Sequence, residues 1–176
     1  FPAGYSVDWS DPTAIAHGTY RVGEHIDEWG CVWSNVNEGM EAIVTGHPIK
    51  TEEDIFALEI PQNRDGRLPH GFMYLRLLDL CGFDNAMYLF GDEDEAIEVL
   101  ISKVLQYNIN QVEAVIDKFN GLADFGDDLG TQHGLAIGVE RWRKYLKPCY
   151  QKLYGMIKER HPETLLSMQT DGCIHQ

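Results

Sequence analysis

Leu122-Ala123-Asp124-Phe125-Gly126, followed by Asp127-Asp128-Leu129-Gly130, is the stretch on which the reading of this chain turns. A short apolar run broken by acids and glycine reads as a buried strand that ends in a polar loop. Downstream, Trp142, Tyr145, Leu146, Cys149, Leu153, Met156 and Ile157 recur at helical spacing. Pro148 lies inside that stripe. It lacks a backbone donor, so a kink or two abutting helices is expected. His161-Pro162 stops the helix. Thr164 to Gln169 then reads as a second strand, ending in Thr170-Asp171-Gly172. Strand, loop, helix and strand in this order imply a parallel βαβ unit and an α/β chain. Ligands of such sheets bind at the carboxyl ends of the strands. Asp127 and Asp128 stand at one such end and Asp171 at the other. Adjacent strands lie about 5 Å apart, so these acids are expected to converge.

Working upstream, Ile97, Leu100, Ile101, Val104, Leu105, Ile109, Val112, Val115, Ile116 and Phe119 form a second helical stripe. Asp92, Glu93, Asp94 and Glu95 suit its first turn, where the helix dipole favours acids. Asn120-Gly121 suits its end. Periodicity leaves Gly71 to Leu80 open between strand and helix, and Gln62 to Pro69 is a polar loop. Thr51-Glu52-Glu53-Asp54 starts a short helix with Thr51 as its cap, and Pro61 bounds it. Asp27-Glu28-Trp29-Gly30-Cys31-Val32-Trp33 is an aromatic segment that reads as a strand or a tight loop. Asp11-Pro12, with Ala14, Ile15 and Ala16 behind it, reads as a turn or helix start. The alternation of helix and strand is expected to begin before Leu122.

The chain has 176 residues, with 14 Lys and Arg against 28 Asp and Glu, a formal net charge of −14. Hydrophobic residues make up 44 %, a globular composition able to bury a core. The acidic surplus repels nucleic-acid phosphates and anionic membrane surfaces, so neither is an expected partner. No run of about 18 apolar residues suggests a membrane span. Cys31, Cys81, Cys149 and Cys173 form no CxxC pair and match no zinc-finger spacing. They read as reduced thiols of a cytoplasmic protein.

The densest polar cluster is Asp127-Asp128 with Gly130, Thr131, Gln132 and His133. Paired carboxylates can bind a metal, hold a cationic group or act as acid and base; the plainer reading is a hydrated loop that caps a helix. Asp171-Gly172 also suits a plain turn. Gln169 and Asp171 have ligand spacing, although glutamine is a poor zinc ligand. Cys173 suits a buried thiol, and His133 and His175 suit surface or structural roles. Arg141, Arg143, Lys144 and Lys147 gather at a helix start. They could bind an anion or form a solvated face. Trp29 and Trp33 flank Gly30 and could stack on a planar ligand or fill a core.

These segments together resemble the uroporphyrinogen decarboxylase superfamily. The resemblance rests on Asp27 to Trp33, on Gly46-His47-Pro48-Ile49 and on Gly82-Phe83-Asp84-Asn85-Ala86. Its most specific part is Phe125-Gly126-Asp127-Asp128-Leu129-Gly130-Thr131-Gln132, followed by Trp142-Arg143-Lys144-Tyr145-Leu146-Lys147-Pro148. Thr170-Asp171-Gly172-Cys173-Ile174 closes it.

The resemblance implies a (β/α)8 TIM barrel with its site at the carboxyl face of the strands. Such a barrel takes about 250 residues, so residues 1–176 are expected to be a central fragment of one barrel domain, incomplete at both ends. Two chemistries are implied. Decarboxylases remove acetate carboxyls from uroporphyrinogen without a cofactor. Their relatives transfer methyl groups between corrinoid proteins and a thiol such as coenzyme M, using zinc. The Asp-x-Trp-Gly and Asp-Asp-Leu-Gly-Thr-Gln segments look more like the methyltransferase branch.

On that reading Asp128 and Asp171 are the catalytic candidates, and Trp29, Asp127, Gln132 and His133 line the substrate. A corrinoid on a partner protein and a small-molecule or tetrapyrrole substrate are the implied ligands. Zinc-dependent members carry a His-x-Cys pair where this chain has Gln169 and Asp171, a departure that suits a harder divalent cation or none. Decarboxylation of uroporphyrinogen, with a carboxylate holding pyrrole N–H groups, is the alternative. A non-catalytic corrinoid or porphyrinoid binding module is a third.

Overall fold

The computed structural model describes residues 22–92, 95–119 and 121–175. Two compact units emerge, Phe1–Pro48 and Ile49–Gln176. The expected turn at Asp11-Pro12, the acids Glu93 and Asp94, and Asn120 lie outside the described residues.

In the first unit, β1 (Gly23–Ile26), β2 (Val32–Asn35) and β3 (Ile43–Gly46) form an antiparallel sheet in that order. Asp27 closes the first hairpin. Its Oδ1 accepts the N–H groups of Trp29 (3.0 Å) and Cys31 (2.9 Å), and its Oδ2 accepts the Trp33 indole N–H (3.0 Å). The segment read as strand or tight loop is therefore both. An aspartate-held turn runs through Gly30 at φ +87° and opens into β2.

In the second unit, Thr51 caps α1 (Glu52–Ala57) in a reciprocal capping box with Asp54. The Lys103 ammonium closes the other end, donating to the carbonyls of Ile55 (2.7 Å), Phe56 (2.8 Å) and Leu58 (2.8 Å). The run at 71–80 resolves as a turn at 71–73 that leads into a helix: α2 spans Tyr74–Cys81, and α3 spans Phe83–Asp92. The long helix α4 (Glu95–Val115) follows the predicted stripe, burying Ile97, Leu100, Ile101, Val104 and Val112. The expected continuation toward residue 120 tightens into a 3-10 turn at Ile116–Lys118.

Strand β4 (Leu122–Gly126) pairs in parallel with β5 (Leu165–Gln169), Leu122 opposite Leu165 and Gly126 opposite Gln169. The βαβ unit is thus present, crossing over through α5 (Val139–Arg141) and α6 (Lys147–Arg160). Between those helices, Trp142–Leu146 widens into a π turn in which the Lys147 N–H reaches back to the Trp142 carbonyl. Pro148 explains it, since the ring has no N–H to give and crowds the carbonyl of the preceding turn. Only Ala123, Phe125 and Gly126 of β4 are buried, so this strand alternates rather than being sealed on both faces.

The incomplete (β/α)8 barrel is overturned. Among the described residues there are five strands, three in an antiparallel sheet and only two paired in parallel. Tight turns hold residues 23–46 in hairpins, which parallel barrel strands cannot form. The apolar run at 71–80 becomes a helix because its first N–H groups find a carboxylate, as shown below. Two parallel strands cannot close on themselves.

An aromatic cluster fills the space between α2, β4 and α6. Phe72 lies 5.6 Å from Phe125 and meets Tyr150 edge-on at 5.7 Å, and Phe125 lies 5.1 Å from Tyr154. Burial pushes the Cys81 thiol up to about 12 and the Cys149 thiol to about 11. Burial, reinforced by the Asp127 charge, pushes the Tyr74 and Tyr154 phenols to about 12 and that of Tyr150 further still. All five acids stay protonated in the fold to a higher pH than in the unfolded chain. Their stabilising effect is complete below the ordinary values, 9.0 for the thiols and 10.0 for the phenols. It is lost as pH rises through the folded values. Urea unfolding from pH 7 upward should show a flat stability that falls above pH 9, each group adding about 1.4 kcal/mol per pH unit once titrating. An unfolding free energy unchanged at pH 11 would contradict this burial.

Candidate functional site

The ladder between β4 and β5 runs past the strands. Asp127 N–H donates to the Gln169 carbonyl (3.0 Å), Leu129 N–H to Thr170 Oγ1 (3.1 Å) and Gly130 N–H to the Asp171 carbonyl (3.2 Å). Cys173 N–H then donates to the Thr131 carbonyl (2.7 Å). Gly130 and Gly172 make this possible. A side chain at Gly130 would stand 2.9 Å from the backbone of Asp171 and Cys173, and one at Gly172 would run into the backbone of Gly130. The loops after the two strands are thereby locked backbone to backbone.

Asp127 points inward and is fully buried. Its Oδ2 accepts the N–H groups of Met73 (3.2 Å) and Tyr74 (2.6 Å) and the Tyr150 hydroxyl (2.6 Å), and its Oδ1 accepts Leu75 N–H (3.0 Å). The three N–H groups are the orphan donors at the start of α2, whose own cap residue, Met73, offers no side-chain bond. A carboxylate from another element thus caps the helix. Burial pushes its carboxyl up, against the lowering pull of Tyr150 and the three N–H groups.

Asp128 points the other way, and its side chain is 35 % exposed. Its Oδ1 accepts Asp171 N–H (3.3 Å) and lies 3.0 Å from His70 Nε2. Loop 58–72 delivers that imidazole. Buried Gln111 of α4 pins the loop, donating to the Asn63 carbonyl (2.7 Å) and accepting Gly66 N–H (2.8 Å). Asn108 donates to the Phe72 carbonyl (2.8 Å), and Gly71 N–H to the Gly126 carbonyl (2.8 Å). His70 Nδ1 fills the place where a side chain on Gly126 would stand.

The structure therefore brings Asp127, Asp128 and the Asp171 backbone to one edge, but Asp127 spends its oxygens on protein donors. Gln132 and His133 occupy the exposed tip of the loop after β4, where Thr131 Oγ1 accepts His133 N–H (3.1 Å). Trp29 is buried in the first unit. Gln169 and Asp171 are exposed and offer an amide and a carboxylate, short of the three protein ligands that a catalytic zinc takes. Among the described residues, no group of three or more His, Cys, Asp or Glu is placed to hold a metal ion. Arg143, Lys144 and Lys147 are exposed; Arg141 donates to the Gly91 carbonyl (3.4 Å).

Sequence reasoning missed His70 and Tyr150. His70 ends a polar loop next to a glycine and belongs to no motif, while Tyr150 lies on the helical stripe among core residues. The one sign was Gly126 at the end of an apolar strand pattern, since a glycine there marks close approach of another segment.

No family model matches the chain, and neither a curated protein nor a solved structure does.

Asp127→Asn should cost about 3 kcal/mol, because one donor would face an amide N–H₂ and the charge-assisted bonds would weaken. Tyr150→Phe should cost about 2 kcal/mol. The double variant should fall short of the sum, since the two share a bond. Urea midpoints check all three.

Proposed function

We propose that this chain carries the substrate edge of a methyltransferase-type enzyme, similar to the corrinoid-linked branch of the uroporphyrinogen decarboxylase superfamily. The observation that supports it is the meeting of Asp128 and Asp171 at the carboxyl ends of two parallel strands, with Asp171 N–H on Asp128 Oδ1 at 3.3 Å. Chemistry-bearing residues gather at that edge in parallel sheets because the loops there are free to vary while the strands hold them in place. Both side chains reach solvent, unlike the sealed Asp127 beside them.

In this reading a corrinoid, held by a partner protein, supplies the methyl group. Asp171 orients the acceptor, a small thiol, and Asp128 is the polar group behind proton transfer from it. Gln132 and His133, on the exposed loop tip, contact the more distant part of the substrate. The thiols of Cys81, Cys149 and Cys173 are free, which fits a reducing cytoplasm. No helix among the described residues is long and apolar enough to cross a membrane.

The test incubates the chain with methylcobalamin and coenzyme M and follows the methyl thioether formed. Asp128→Ala and Asp171→Ala should each lower turnover about 100-fold or more, with thermal midpoints close to that of the unaltered chain. Full activity in both variants would remove these assignments. Release of carbon dioxide from uroporphyrinogen, with no thioether, would replace methyl transfer by decarboxylation. Tight binding of either tetrapyrrole without turnover would make the chain a binding module.

A further inference from the structure

The helical crossover from β4 to β5 is where the positive charge of this acidic chain collects. Residues 141–160 carry seven of the 14 Lys and Arg and one of the 28 Asp and Glu. The helix sorts them by face. Tyr145, Leu146, Cys149, Tyr150, Leu153 and Ile157 are buried. Arg143, Lys144, Lys147 and Lys152 are exposed.

The cations at the far end of the run serve the fold. Lys158 donates to the Pro162 carbonyl (2.8 Å) and Arg160 to Asp117 Oδ1 (2.8 Å), and the end of a helix favours positive charge. Those nearer its start have no such use. The dipole there favours acids, as α1 shows with Glu52 and Glu53 and α4 with Glu95 and Glu98. Lys144 lies over the Tyr145 ring at 4.6 Å. Among the described residues, the side chains of Arg143, Lys147 and Lys152 form no ion pair or hydrogen bond. A helix face that only offset the acidic surplus would interleave cations with acids. Here the cations stay together and the acids lie elsewhere.

We infer that the face carrying Arg143, Lys147 and Lys152 is a docking surface for an acidic patch on another protein. Charge complementarity selects that occupant. A nucleic-acid backbone or an anionic bilayer runs on past the cations and meets the acids that give the chain its charge of −14. An acidic patch on a protein ends where the cations end, so attraction acts only where it is matched. The surface begins beside the substrate edge, because a parallel crossover leaves from the carboxyl end of its first strand. The inference stands apart from the methyl-transfer reading and survives its failure.

The test measures binding of a fluorescent oligoglutamate peptide to the full chain by anisotropy. The ionic strength is about 0.15 M, where charges more than about 8 Å apart are largely screened. The peptide should bind, and Arg143→Glu combined with Lys147→Glu should weaken binding about 10-fold or more. Arg64→Glu combined with Lys118→Glu makes the same change in net charge at other exposed cations and should weaken it far less. No binding by the unaltered chain, or equal losses in the two double variants, overturns the inference. Tighter binding of duplex DNA or of phosphatidylserine vesicles than of the peptide also overturns it and makes the face a phosphate-binding one. The thermal midpoint of the Arg143→Glu and Lys147→Glu chain should hold or rise, since no ion pair is lost and the helix start gains acids. A marked fall would show that these cations serve the fold, which overturns the inference as well.

Discussion

The Asp127 carboxylate, sealed from water and holding four donors, is the constraint on which the second unit depends. A carboxyl in an apolar interior is tolerable only when fully hydrogen-bonded. Its donors come from two places distant in sequence, the start of α2 and the first turn of α6. One side chain therefore ties strand end, helix start and crossover helix together. The aromatic cluster of Phe72, Phe125 and Tyr150 packs around that knot. Dispersion contacts there add to stability, but the hydrogen bonds choose which segments meet.

Asp127 and Asp128 show how strand geometry divides labour between adjacent identical residues. Successive side chains leave a strand on opposite faces. The first aspartate turns into the core and becomes structural; the second turns out and meets His70. A cluster of two acids is read from sequence as a single feature, yet the pleat gives its members unlike surroundings. The first serves the fold and the second stays open to solvent.

The readable parts of the fold are those in which a local signal decides. The Thr51 capping box, the α4 stripe and the break at Pro148 each carry their cause within a few residues. The parallel pairing of β4 with β5 could also be inferred, because a strand, a long helix and a strand leave few other connections. The barrel was not inferable from local signals; it entered through resemblance, and residues 23–46 and 71–80 took other structures. The run at 71–80 was ambiguous for a physical reason. Its helix starts on a carboxylate more than fifty residues further along the chain, and no window of sequence contains both. The same distance hid His70, whose partner is Asp128, from any motif. Asp128 and Asp171 were found because both follow strands that could be recognised.

The backbone lock between Gly130 and Gly172 has a consequence for how this edge can change over evolution. Loops at strand ends usually diversify by gaining or losing residues, each independently of the next. Here neither loop can lengthen near its glycine without prising the other away, so the two behave as one inherited unit. Change at this edge is confined to replacing side chains at its rim, such as Gln132 and His133, on a frame of constant length.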